Sequence, residues 1–406
     1  MHPSRSVLAL ADAALAVLGA PVLLAASYLL LLTVLSRRQS LPALGAPTTR
    51  FRVLIPAHDE AGGIRATIEN LKALDYPREL FDVVVIADNC SDDTAERARE
   101  AGALVLERHD DLARGKGYAL HYAFERLPDD VDAAVVIDAD TLASANLLRA
   151  FASRISAGAE AVQADYAVRN PNAGWRTRLM AIAFGAFHIV RSRGRERLRV
   201  SAGLRGNGMC FTARVLRAVP HEAFSIVEDV EYGIRLAETG HRVAYADEAH
   251  VYGEMVTSAQ AARSQRKRWE GGRMALARKY GARLLGGGLR GDRVLLDLAL
   301  DVLVPPLSRI AVPAGLGLAL SIAAAAVWGG FAVSQAVFGA SVVAIALYVL
   351  RGWMVSGTGA RGIVDLMLAP AYVVWKATLR RRAPRASAEW IRTTREGREP
   401  ETTTKQ

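Results

Sequence analysis

The chain has 406 residues, 51% of them hydrophobic and 23% charged, with a formal charge of +10. This balance excludes a disordered chain and a pure membrane bundle, and the length calls for more than one small core. No nucleic-acid-binding module stands out, so the basic excess points to anionic lipid or a phosphate-bearing substrate.

Residues 13–35 form an uncharged apolar run. At about 1.5 Å per residue the run spans the roughly 30 Å hydrocarbon core of a bilayer. A cleaved leader is the alternative, but the run is too long and no small-residue cleavage site follows. Arg37 and Arg38 outweigh Arg5, which places the following domain in the cytoplasm. Residues 1–40 are expected to hold a transmembrane helix of a multi-pass protein in the cell's inner (plasma) membrane.

From Phe51 onward strands and helices alternate. Residues 52–57, 83–87, 103–106 and 133–137 read as strands, and 63–74, 92–100 and 115–126 as helices. Continuous β-branched runs between amphipathic helices indicate buried parallel strands. The fold class is therefore α/β, a nucleotide-binding sandwich whose ligands sit off the carboxyl ends of the strands. Those ends are acidic: Asp59 and Glu60 follow the first, Asp88, Asp92 and Asp93 the second, Asp138 and Asp140 the fourth. Such carboxylates repel unless a cation or hydrogen-bond donors lie between them. Hard oxygen ligands suit Mg²⁺ or Mn²⁺, which bridge diphosphates. The place of Asp138 and Asp140 at the end of the fourth strand favours the cation, with a solvated acidic turn as the alternative. Gly115-Lys116-Gly117 opens the third helix and offers a lysine to phosphate, although full P-loop spacing is absent. Cys90 and Cys210 read as reduced thiols, without zinc spacing.

Residues 191–199 are dense in arginine, as expected of a solvated helix end or of a grip on an anionic lipid-linked acceptor. Residues 294–303 are apolar but carry Asp297 and Asp301 one turn apart, which suits an interfacial helix. Residues 312–350 allow two spans with a turn near Gly329 and Gly330, and 363–374 add a short apolar stretch. The basic tail requires an even number of spans after the soluble domain; two are favoured and four allowed. The expected organisation is a transmembrane helix in 1–40, a cytoplasmic domain in 50–280, interfacial and transmembrane helices in 290–382, and a basic cytoplasmic tail in 383–406.

The motifs VLIPAHDE, ADNCSDDT, GKG, DAD, GNG, ED and QRKRW occur in an order that resembles inverting family 2 glycosyltransferases of the GT-A fold. The resemblance is to membrane-bound synthases of the cellulose, hyaluronan and poly-N-acetylglucosamine type, and it covers residues 51–273. It implies a hexosyl- or N-acetylhexosaminyltransferase that uses a UDP-sugar and Mg²⁺ or Mn²⁺. By position, Ala57, Glu60 and Asp88 resemble the uridine pocket, and Lys116 the basic site near the diphosphate. Asp138 and Asp140 match D-x-D, with Asp140 the more direct metal ligand and His250 a further candidate. Asn207 and Gly208 resemble the acceptor loop. Glu228 and Asp229 match the E-D pair, with Asp229 the general base. Gln265, Arg268 and Trp269 match Q-x-x-R-W, where Arg268 faces phosphate and Trp269 either stacks on a sugar or packs in the core.

Val227 stands where a threonine is usual, and Gly253-Glu254-Met255 lacks the usual proline. The membrane portion is shorter than in cellulose synthases, which argues against a long translocation channel. A growing saccharide is the leading acceptor, in exopolysaccharide synthesis; a lipid or polyprenyl carrier taking a single sugar is the alternative, with membrane lipids as further partners. A catalytically dead scaffold is disfavoured by Asp138, Asp140, Asp229 and Arg268 occurring together.

Overall fold

A computed structural model describes residues 4–40, 47–255 and 259–368, without the side chains of 259–268. Eight strands are formed: β1 (Phe51–Ala57), β2 (Phe81–Asp88), β3 (Leu104–Arg108), β4 (Ala133–Val136), β5 (Thr141–Ala143), β6 (Ala161–Val168), β7 (Met209–Thr212) and β8 (Val243–Gly253). Their order in one mixed sheet is β3-β2-β1-β4-β7-β6-β8-β5. β1 pairs in parallel with β2 and β4, and β2 with β3, so these four carboxyl ends share one edge. β7 runs antiparallel to β4, which brings the loop before Met209 to that same edge.

Both faces of the sheet are covered. Phe51, Val53 and Ile55 pack on one side with Ile64, Ile68 and Phe151. Leu54 points to the other, with Leu120, Val215 and Tyr232. Burial on both faces explains why the parallel strands read as unbroken apolar runs. The expected GT-A-like α/β fold is the observed one.

Three described helices are long and apolar enough to cross a membrane: Arg5–Leu35, Ser308–Trp328 and Ala332–Val355. The last two flank the expected turn at Gly329 and Gly330, both with left-handed φ. Leu29, Leu32, Ile310, Ala314, Ile345 and Tyr348 pack these helices together. Leu10, Leu18, Leu316, Leu320 and Val343 point outward, exposed.

The arginine-rich segment differs from the solvated helix end expected of it. It forms helix Arg191–Arg197, which continues helix Trp175–Phe184 through a π-helical turn at Gly185–Val190. Arg195 is fully buried. Its Nε donates to Asp297 Oδ2 at 2.6 Å, and its Nη1 lies 3.4 Å from Asp301 Oδ2. Arg191 donates to Asp301 Oδ1 at 3.0 Å and to the Tyr348 hydroxyl at 2.9 Å. Tyr28 donates to Asp297 Oδ1 at 2.9 Å. The acidic face of helix Arg293–Leu303 thus meets arginines rather than water. Partners about a hundred positions away decide the burial, and no local pattern reports them. This joint ties the sheet domain to the first and last apolar helices.

Candidate active site

The chain leaves β4 and re-enters the sheet as β5, and residues 137–140 make that connection. Asp138 and Asp140 lie on it. The Asp138 N–H donates to Asn207 Oδ1 at 3.1 Å, and Asn207 Nδ2 donates to Thr141 Oγ1 at 2.7 Å. Gln163 of β6 braces the same loop: its Nε2 donates to Asn207 O at 2.7 Å, and its Oε1 accepts from the Arg205 N–H at 2.8 Å. Asn207 is fully buried, and Gly208 is buried with left-handed φ. Both therefore fasten the loop. Gly206 is the partly exposed residue there, and a Cβ on it would lie 3.6 Å from Asp229 Oδ2.

Lys116 opens helix Lys116–Phe124. Its Nζ donates to Asp138 Oδ1 and to Gly206 O, and lies 4.0 Å from Glu228 Oε1. Helix Glu228–Glu238 carries Glu228, Asp229 and Glu231 in its first turn, where the positive end of the helix dipole favours carboxylates. Glu231 turns away and accepts from Lys279 Nζ and the Tyr280 hydroxyl, each at 2.8 Å. Lys116 therefore stands among Asp138, Glu228 and Asp229, and Arg205 and Arg273 add positive potential at Asp229. Burial opposes the charge of Lys116, but these carboxylates outweigh it and hold its pKa above the usual lysine value. Burial pushes both Glu228 and Asp229 above the ordinary carboxylate range, and Lys116 pulls each back in part.

At the ends of β1 and β2, Ala57 closes β1 and is buried. The Glu60 N–H donates to Thr94 Oγ1 at 2.8 Å. Asp88 accepts from Arg108 Nη1 at 2.7 Å in a buried pair, a partner the sequence did not reveal. Asp59 accepts from the Ser91 N–H at 2.7 Å. Asp59, Cys90 and Asp92 bring one candidate ligand atom each close together. Burial pushes the Cys90 thiol up to about 11, so it stays protonated and offers a weak ligand.

Asp140 is partly exposed, and Thr141 Oγ1 donates to its Oδ1 at 3.4 Å. His250 on β8 points Nδ1 at Asp165 Oδ2, 2.9 Å away, and Tyr245 donates to Asp165 Oδ1 at 3.2 Å. A carboxylate behind a histidine fixes the tautomer that leaves Nε2 for a ligand. Asp138, Asp140 and His250 do not gather as a three-ligand cluster among the described residues. The donor set nevertheless fits Mg²⁺ or Mn²⁺, which take one or two carboxylates and complete their shell with water and phosphate oxygens. The side chains of Gln265 and Arg268 lie outside the described residues. Trp269 is partly buried, its ring 6.3 Å from Phe184, in a cluster with Val168, Ala181 and Met255.

A family model described as "Glycosyltransferase like family 2" matches residues 47–272, more than half of the chain. The chain belongs to that family. This family 2 glycosyltransferase is 26% identical over 260 residues to a probable glycosyltransferase, YdaM, of Bacillus subtilis, covering 61% of this chain and 60% of the relative. It is 28% identical over 237 residues to a beta-monoglucosyldiacylglycerol synthase of Synechocystis sp., covering 56% and 48%. The chain thus spans 60% and 48% of the length of these two curated relatives. A solved mannosyltransferase from Pyrobaculum calidifontis, in complex with GDP-Man and Mn²⁺, shares the fold: TM-score 0.51, 18% identity, 82% of this chain and 96% of that one.

Proposed function

We propose that this enzyme is a membrane-embedded inverting glycosyltransferase that moves a sugar from a UDP-sugar to a saccharide or lipid-linked acceptor. The observation that carries the reading is the cluster of Lys116, Asp138, Glu228 and Asp229 around Gly206, at the carboxyl edge of the sheet. Ala57, Glu60 and Asp88 line the nucleoside end. Lys116 orders Asp138 and meets the diphosphate. Asp140, with Asp138 and with His250 as a further candidate ligand, would hold Mg²⁺ or Mn²⁺. That ion, when bound, offsets negative charge on the departing nucleoside diphosphate.

Asp229 takes the proton of the acceptor hydroxyl as that oxygen bonds to the anomeric carbon. The carbon–oxygen bond to the diphosphate breaks on the opposite face, and UDP leaves with the electron pair. Glu228 shares the cluster's charge and keeps Lys116 in place. Arg268 is assigned to the phosphate and Gln265 to the donor. Trp269 is assigned to the acceptor, where an aromatic face suits a sugar ring.

The favoured product is a β-linked exopolysaccharide, as the resemblance to cellulose-, hyaluronan- and poly-N-acetylglucosamine-type synthases implies. The second reading, one sugar added to a lipid, gains weight from the diacylglycerol glycolipid named for the Synechocystis relative. The catalytic domain, residues 50–280, is assigned to the cytoplasmic face of the inner membrane. Three helices long and apolar enough to cross a membrane support the membrane attachment, and Arg37 and Arg38 beside the first support the cytoplasmic side. Membranes incubated with a panel of labelled nucleotide-sugars and Mg²⁺ or Mn²⁺, followed by sizing of the product, test all of this. A polymer ladder supports the first product and a single shifted lipid the second. Transfer undiminished in Asp229→Asn removes the mechanism.

A further inference from the structure

The joint beside the cleft holds more positive charge than its own carboxylates balance. Arg191, Arg195 and Arg273 all reach Asp301, and Arg195 also reaches Asp297. Arg205 is buried beside them, yet it has no carboxylate within ion-pair distance among the described residues. Its Nη2 donates to Ala202 O at 3.1 Å, and its Nε is buried without a hydrogen-bond partner. Burial, with Arg195, Arg273 and Arg191 nearby, lowers its pKa to about 10 against the pull of Asp301, so it remains charged at neutral pH. A buried guanidinium with no carboxylate in direct contact, reached only at longer range by Asp301 and Asp229, is costly, and an anion supplied by a ligand lowers that cost.

Phe187 gathers the guanidiniums that such an anion would meet at their free edges. Its ring is partly exposed and belongs to the π-helical turn Gly185–Val190. Three guanidinium carbons surround its centroid, Arg205 at 4.5 Å, Arg191 at 4.7 Å and Arg273 at 5.1 Å. Planar forks gathered in this way suit the oxygens of phosphate better than a point charge does. On one side, Arg205 precedes Gly206, which abuts Asp229. On the other, Arg191 bonds Tyr348 of the last apolar helix. The patch therefore lies between the cleft and the apolar helices.

We propose that Arg205, Arg273 and Arg191, gathered at Phe187, form a subsite for a phosphate or diphosphate group carried by the acceptor. The inference rests on Asp229 being the base, since that is what makes this the acceptor side. The phosphate belongs either to a membrane lipid or to a soluble molecule, and the two sources share this chemistry.

The test is equilibrium binding to the full-length protein in neutral-lipid nanodiscs, with farnesyl phosphate, farnesol and inorganic phosphate as probes. Farnesyl phosphate is expected to bind tighter than farnesol. Arg205→Gln and Arg273→Gln should each weaken it by about tenfold or more, while leaving farnesol unchanged. Arg283→Gln, at an exposed pair with Glu238, is the control that changes neither. Because Arg205 is buried, Arg205→Lys and the more exposed Arg273→Gln keep the test decisive if Arg205→Gln misfolds. Competition by inorganic phosphate, with the same arginine dependence, supports the subsite and assigns it to a soluble phosphate. Weak competition supports it with a lipid source. Equal binding of farnesyl phosphate and farnesol, or affinity indifferent to both arginines, overturns it. Failure of the base would appear separately, as transfer retained in Asp229→Asn.

Discussion

The cleft and the joint are mirror images in charge. In the cleft, one lysine stands among Asp138, Glu228 and Asp229. In the joint, Asp301 stands among Arg191, Arg195 and Arg273. They differ in access to water. Lys116, Asp138 and Asp229 are partly exposed beside a buried Glu228, whereas Arg191, Arg195 and Asp301 are buried and only Arg273 of the joint is partly exposed. Charges that reach solvent can exchange partners and protons, which is what transfer chemistry needs. Charges sealed from it hold geometry, because separating them strands a bare ion in a low dielectric.

The sharpest way to break this contrast is to remove one carboxylate from each side. Asp229→Asn should lower kcat by about 10²–10⁴-fold, the usual worth of a general base, with little change in the unfolding temperature. Asp301→Ala should do the reverse. Stranding the buried guanidiniums should cost about 3–5 kcal/mol of stability, read from thermal unfolding of the detergent-solubilised protein. If Asp301→Ala unfolded at the parent temperature, the joint would not be structural.

A pH profile sharpens the comparison further. Burial raises Glu228 and Asp229, so the acid limb of kcat/KM should lie above the ordinary carboxylate range. Lys116→Met removes a charge that favours ionisation, so the limb should move higher still. The same groups bear on stability. With folded pKa values raised above the unfolded ones, their contribution is full below the ordinary carboxylate pKa. It fades as pH rises through the raised values. An acid limb that stayed put in Lys116→Met would separate lysine from base. The smallest expected effect is at the rim: Glu238→Gln breaks an exposed pair with Arg283 and should cost less than about 1 kcal/mol in the same melt.

The parallel strands were legible because burial on both faces leaves an unbroken apolar run with acids at its end. The helices Ser308–Trp328 and Ala332–Val355 were legible for a different reason, as apolar runs long enough to cross a bilayer. Asp297 and Asp301 were correctly placed on one face of a helix, but what that face meets was not readable. Arg195 shows the limit: nothing local separates an arginine in water from one fully buried against Asp297. The same holds for Arg108 on Asp88 and for Asp165 behind His250, since each is a contact between distant parts of the chain. The motif singled out Asn207 for an acceptor role, while its bracing role needed Gln163 and Thr141 to be seen beside it.

Asp12, buried near the start of the first apolar helix, accepts the N–H groups of Val333 and Ser334, which open the last one. This carboxylate stands 321 and 322 positions before its partners, so during synthesis it leaves the ribosome long before them. It must be carried without them through production of the entire catalytic domain. This contact forms only once the hairpin carrying Val333 docks, so truncation before Val333 is expected to leave the Asp12 carboxylate without these donors.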